Sequence, residues 1–130
     1  GTTTSDLKNT YGTIRMDYNG NRLDTGMQFI GSIIGDYVKT AINTSIFTGK
    51  LVGSCSMIYG TVTTNVPSFC NYARSFGQIT EISLDQELTT QRRVYSRRKV
   101  EQTPYDIELM TRIFDLTKNE RVLADDHINF

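Results

Sequence analysis

Few side chains in this sequence are able to do chemistry, and their spacing limits what that chemistry is. Its one histidine, His127, stands close to the C-terminal end and reads as structurally idle. The two cysteines, Cys55 and Cys70, form no CxxC pair and lie far from that histidine, which gives neither a disulfide framework nor a zinc set. With no histidine nearby to take its proton, Cys55 reads as a buried, inert thiol rather than a nucleophile. Neither G-x-G-x-x-G nor GxxxxGK[ST] occurs, so residues 1–130 contain no phosphate-cradling loop. The densest charge is Arg92, Arg93, Arg97, Arg98 and Lys99, whose spacing places most of it along one side of a helix, where it would meet phosphate or the carboxylates of a neighbouring subunit. Asp85, Glu87 and Glu101 flank this cluster, which favours an ordinary solvated, salt-bridged helix face.

The background to these residues is neutral. Fourteen basic and fourteen acidic side chains cancel to a formal charge of +0 over 130 residues, which removes any bulk electrostatic reason to expect nucleic acid or a membrane surface as partner. No apolar run approaches the ~20 residues of a membrane-spanning helix. The opening GTTTSDLKNT has neither the basic nor the apolar region of a secretory signal. Unpaired cysteines fit a reducing, cytoplasmic setting. The first residue is Gly and the pattern begins in mid-stride, which suggests a piece of a longer protein.

The elements that must position these groups divide at the middle of the chain. Residues 1–65 hold nine of the ten glycines, twelve threonines and only nine charged side chains; residues 66–130 hold nineteen charged side chains and one glycine. This predicts a β-rich half followed by a helical half, with a pause at Asn65-Val66-Pro67-Ser68. Tyr18-Asn19-Gly20-Asn21 is a type I′ turn signal between strands at 13–18 and 21–25. After Gly26 the pattern takes a period of six: Ile34, Thr40, Ile46, Val52, Ile58 and Thr64 fall on it. A chain turning through roughly 120° every six residues builds a triangular coil with eighteen residues per turn, with glycine easing its corners. Ile34 then stacks on Val52, Thr40 on Ile58 and Ile46 on Thr64. A run of ordinary short strands in a sandwich is the alternative.

In the second half, Ser83-Leu84-Asp85-Gln86 has capping-box spacing and starts a helix over 84–98 that ends among cations. Thr103-Pro104-Tyr105-Asp106 starts another over 104–117, with Ile107, Met110, Ile113 and Phe114 on one face. From Lys118 the chain is polar and is expected to fray.

The stretch Ile33-Ile34-Gly35-Asp36-Tyr37-Val38-Lys39-Thr40-Ala41-Ile42-Asn43, with the hairpin before it and Val52-Gly53 after it, resembles the left-handed β-helix domain of sugar-1-phosphate nucleotidylyltransferases. The likeness is to two-domain glucose-1-phosphate thymidylyltransferases and bifunctional uridylyltransferase/acetyltransferases. Thr2-Thr3-Thr4-Ser5-Asp6-Leu7 is similar to that family's Thr-rich coil, and Ser96-Arg97-Arg98-Lys99-Val100 to a stretch in one branch.

The resemblance implies a mainly β fold: left-handed parallel β-helix coils over 1–67, a hairpin inserted at 13–25, and a C-terminal extension over 68–130 whose two helices pack on the coil. It implies a homotrimer, and nucleotidyl transfer to a sugar phosphate, with its Mg²⁺, in a domain outside this chain. It also implies acetyl-coenzyme A and an amino sugar as ligands at the seams between subunits. By the same resemblance, Asp6 stands where relatives have an amino-sugar-contacting asparagine, and Lys8 and Arg15 where they place basic groups near the sugar phosphate. Tyr37 and Lys39 stand at a corner where several relatives have histidine and a basic residue; tyrosine does not titrate near neutral pH, so proton transfer there is not expected. Exposed loop charges at Lys8 and Arg15, and an aromatic packed at a trimer seam at Tyr37, are the plainer readings. The relatives' acetyl-transfer base is a histidine upstream of Gly1, so the alternative function is an assembly module with no chemistry of its own.

Overall fold

A computed structural model describes residues 1–124. The fold is mixed α/β, 27% helix and 26% strand, rather than mainly β, and it has three helices instead of two.

Most strands are two residues long and pair in parallel, forming three ladders that the chain visits in turn. The first ladder joins β1 (Thr3–Thr4), β6 (Ser45–Ile46) and β9 (Thr61–Val62). The second joins β4 (Ile33–Ile34) to β7 (Leu51–Val52), and Val66 adds a single bridge to Val52. In the third, β5 (Lys39–Thr40) pairs with β8 (Met57–Ile58), then β10 (Cys70–Ala73), which turns antiparallel into β11 (Gln78–Glu81). In each of β6 to β9 one residue of the two is buried, and a one-residue slip would turn it outward, so the inward side chain fixes the stack. Ile46, Val52, Ile58, Val62, Val66 and Tyr72 form one buried core inside the three ladders.

Ile34 pairs with Val52 and Thr40 with Ile58, as the six-residue period predicts. The third expected stack is different: Ile46 pairs with Val62, not Thr64. Gly60, at φ 78°, closes the corner between Ile58 and Val62 in fewer residues than the earlier corners take, and the register advances by two. Thr64 leaves the ladder and its hydroxyl meets Tyr72 Oη at 2.7 Å.

The corners also differ from expectation. Left-handed backbone falls on Tyr37, Asn43, Gly49 and Cys55, at φ 61°, 55°, 68° and 61°, six residues apart. Gly35 and Gly53, which the sequence suggests as corner residues, serve close approach instead. A methyl group on Gly35 would lie 2.8 Å from the Ser54 nitrogen, and one on Gly53 would lie 2.7 Å from the Pro67 carbonyl carbon.

The hairpin forms as β2 (Arg15–Tyr18) and β3 (Asn21–Asp24), with Asn19 and Gly20 both at positive φ. Ile14 at its foot is fully buried, and Asn65 Nδ2 donates to Asp17 O at 2.6 Å, tying the hairpin back to the coil.

Ladder pairing runs on past Pro67 into β10, so the charged second half begins with strands before any helix forms. Helices α1 (Leu84–Ser96) and α2 (Pro104–Leu116) then form as expected, each with a reciprocal capping box, Ser83 with Gln86 and Thr103 with Asp106. They lie over one side of the coil, where Cys55, Phe69, Ile82 and Met110 make a second buried cluster. Ile107 departs from its expected buried face and is 40% exposed.

Residues expected to fray form α3 (Lys118–Ala124). Arg121, 4% exposed, holds it: its guanidinium donates to Ser68 O at 3.2 Å and Phe114 O at 2.9 Å, and lies 4.4 Å from the Phe114 ring centroid. Glu81 supplies the counter-charge at 3.4 Å, and the Glu120 carboxylate accepts from the Ser68 backbone N–H at 2.9 Å. No helix among the described residues is long and apolar enough to cross a membrane.

Candidate functional site

The fold distributes the five candidate residues between two places. Asp6, Lys8 and Arg15 belong to the loop and hairpin inserted between the first and second ladders, whereas Tyr37 and Lys39 lie under α1.

At the hairpin root, Asp6 is exposed, and its backbone carbonyl accepts from Ile30 N–H at 3.0 Å. Lys8 Nζ donates to Thr13 O at 2.8 Å, which fixes its stem across the loop while leaving donors free. Arg15 is exposed and opposes Asp24 in the hairpin register. Sequence reasoning missed Lys50. It is partly buried at the corner on which the hairpin packs, and burial holds its ammonium below the usual lysine range; Arg22 and Lys8 add to the effect while Asp17 opposes it. Of the charges that act on Lys50, two are cations, Lys8 and Arg22, and one is a carboxylate, Asp17, a local excess of positive charge that suits an anion. Asp17 is itself partly committed to Arg22, at 3.2 Å. No sequence signal marks Lys50, because it reads as an ordinary charged residue after a glycine.

Under α1 the surroundings are drier. Tyr37 sits at a left-handed corner that aims its ring at the helix, and its hydroxyl meets Tyr95 Oη at 2.9 Å. That contact, with burial, pushes the Tyr95 phenol up to about 12. Gln91 Nε2 lies 3.4 Å from the same hydroxyl, and Gln102 Nε2 donates to Gln91 Oε1 at 2.7 Å. Lys39 Nζ donates to Tyr37 O at 3.3 Å and lies 3.8 Å from Glu87 Oε1. Glu87 is fully buried, and neither carboxylate oxygen has a hydrogen-bond partner. Loss of hydration raises the Glu87 carboxyl above its ordinary range, with Lys39 acting against that shift. The seam at Tyr37 is therefore one between coil and helix of a single chain.

Cys55 and Cys70 are both free and buried, and burial pushes each thiol up to about 12. Thiols in that range are not nucleophiles at neutral pH. Cys55 Sγ lies 3.3 Å from Met110 Sδ under α2.

The basic cluster is not the salt-bridged face that the sequence favours. Among the described residues, Arg92, Arg93, Arg97, Arg98 and Lys99 are exposed and pair with none of Asp85, Glu87 or Glu101. Glu87 has turned inward to Lys39, and α1 ends at Ser96, so the last three cations lie in the turn beyond it, with Lys99 at φ 56°. His127 lies outside the described residues. Within them, no group of three or more His, Cys, Asp or Glu side chains is placed to hold a metal ion. Compared with protein-family models and with curated proteins, the chain finds no match.

Proposed function

We propose that this chain is the left-handed parallel β-helix domain of a sugar-1-phosphate nucleotidylyltransferase, of the glucose-1-phosphate thymidylyltransferase or bifunctional uridylyltransferase/acetyltransferase type, and that its own task is assembly into a homotrimer. The observation that carries the reading is the ladder order: the chain visits three parallel ladders in turn, with Ile34 on Val52 and Thr40 on Ile58 eighteen residues apart and a left-handed corner at every sixth residue from Tyr37 to Cys55. Nucleotidyl transfer and its Mg²⁺ belong, in this reading, to a catalytic domain outside these residues. The unpaired, buried cysteines fit a cytoplasmic protein.

Trimer assembly is supported by what the ladders present outward. Thr3, Ser45 and Thr61 on the first ladder and Ile33 and Leu51 on the second carry no charge, and Ile33 and the nearby Phe47 are 63% and 51% exposed. Charge depletion with exposed aromatic and aliphatic groups is the composition of an interface core. The third ladder is covered by the chain's own helices.

The hairpin root is the place for the sugar phosphate, with Lys8 and Lys50 as its cationic contacts, Arg15 on the adjoining strand and Asp6 towards the sugar. Calorimetric titration with a sugar 1-phosphate tests this. Saturable binding is expected, weakened about tenfold or more by Lys50→Ala, the loss of one charge-assisted contact. Heat that never saturates, or equal affinity in the variant, would contradict the site.

A second reading adds acetyl transfer from acetyl-coenzyme A. The engagement of Tyr37 by Tyr95 and of Lys39 by Glu87 favours assembly without it, since both residues at that corner are already committed. Titration with acetyl-coenzyme A separates the two readings: no binding is expected.

A further inference from the structure

We propose that the α1–α2 pair carries a docking surface for an anionic lipid bilayer, with the basic turn between the helices on the headgroups and an outer stripe of α2 pressed into the interface. The proposal stands apart from the assembly reading, because this surface lies on the helices and uses neither the first nor the second ladder.

α2 carries two apolar stripes, and the coil takes only one of them. Met110, Ile113 and Phe114 pack in the second buried cluster. Tyr105, Leu109 and Leu116 fall within about 40° of one another around the helix axis, centred about a third of a turn from those three. They are 82%, 56% and 82% exposed. A surface helix ordinarily turns polar residues outward, and large apolar groups aligned on its outer side mark a contact with something apolar.

The charge beside this stripe has one sign. Residues 92–101 hold five cations, Arg92, Arg93, Arg97, Arg98 and Lys99, and one carboxylate, Glu101. All five cations are exposed, and among the described residues none is in an ion pair. Val94 and Val100 stand exposed between them. The turn they occupy leads directly into the Tyr105 end of α2. On α2, Asp106 is taken by the Thr103 cap and Glu108 by Arg112 at 3.0 Å. Asp115 lies at the opposite end of that helix, so the turn keeps its positive charge locally in a chain whose total is zero.

An anionic bilayer meets both features at once. Nucleic acid would satisfy the cations and leave Leu109, Leu116 and Val100 in water. A protein groove that takes a helix encloses more of its circumference than α2 has free, since the inner side is fastened to the coil. A planar lipid surface needs only one exposed stripe beside cations. The aliphatic groups enter the boundary below the headgroups, Tyr105 lies at the polar level, and guanidinium groups meet lipid phosphates.

Co-sedimentation with vesicles tests this, using phosphatidylcholine alone and phosphatidylcholine with about one-third phosphatidylglycerol. Saturable binding of the parent chain to the anionic vesicles is expected, with binding to the neutral ones weaker by about tenfold or more. Two variants divide the surface: Arg97→Gln with Arg98→Gln and Lys99→Gln removes charge, and Leu109→Ser with Leu116→Ser removes the apolar stripe. Each alters exposed side chains only, so each is expected to keep the parent's denaturation midpoint while its affinity for anionic vesicles falls by about tenfold or more. No binding by the parent, or an affinity unchanged in either variant, would overturn the proposal. So would a single-stranded oligonucleotide that displaces the vesicles and binds the Leu109→Ser, Leu116→Ser protein as tightly as the parent, since the cluster would then be a nucleic-acid surface.

Discussion

Gly53 shows most sharply what single residues do in this coil. The backbone of Ser68 passes directly over it, so a side chain there has no room, and the obstacle is main chain rather than a flexible tip. Gly53→Ala is expected to cost about 2–4 kcal/mol, read from chemical denaturation. Gly20→Ala meets nothing within 4 Å but needs φ 75°, and is expected to cost only about 1 kcal/mol. Equal losses would contradict the distinction between close approach and backbone freedom. The sequence marks both glycines, but not their different roles, because packing between successive turns is invisible in a linear pattern. The same holds for Tyr37 and Cys55: bulky residues at positive φ carry no propensity signal, and only the stacked corners reveal them.

Among the elements, the two capped helices and the Asn-Gly hairpin were legible because their signals are local: a cap three residues from its partner, a turn between alternating strands. The strands at β10 and β11 and the helix α3 were not, since their stability comes from distant partners. α3 is polar by composition, and what holds it is one guanidinium between Phe69 and Phe114, bonded to Ser68 and facing Glu81. Arg121→Met is expected to detach α3 and cost about 2–4 kcal/mol, since Glu81 and the Ser68 carbonyl lose their partner. Limited proteolysis checks this: cleavage within 118–124 is expected to accelerate while cleavage in α1 and α2 does not. Unchanged protection of α3 would mean that Glu120 and the helix backbone suffice to hold it.

For the whole molecule, the period of six foretold two of the three stacks, and the third slipped where Gly60 shortens a corner. Of the candidate site, the hairpin root was half legible: Lys8 and Arg15 were named, while Lys50 becomes visible only when the hairpin folds onto its corner. What remains outward on the first two ladders is uncharged, and a coil of so few turns buries limited apolar surface by itself. Assembly about those ladders is read from the mass in solution by light scattering at micromolar concentration, for the parent protein and for Ser45→Arg combined with Thr61→Arg, two outward positions of the first ladder. Three chain masses for the parent and one for the variant are the predicted result; a single chain mass for the parent would contradict it.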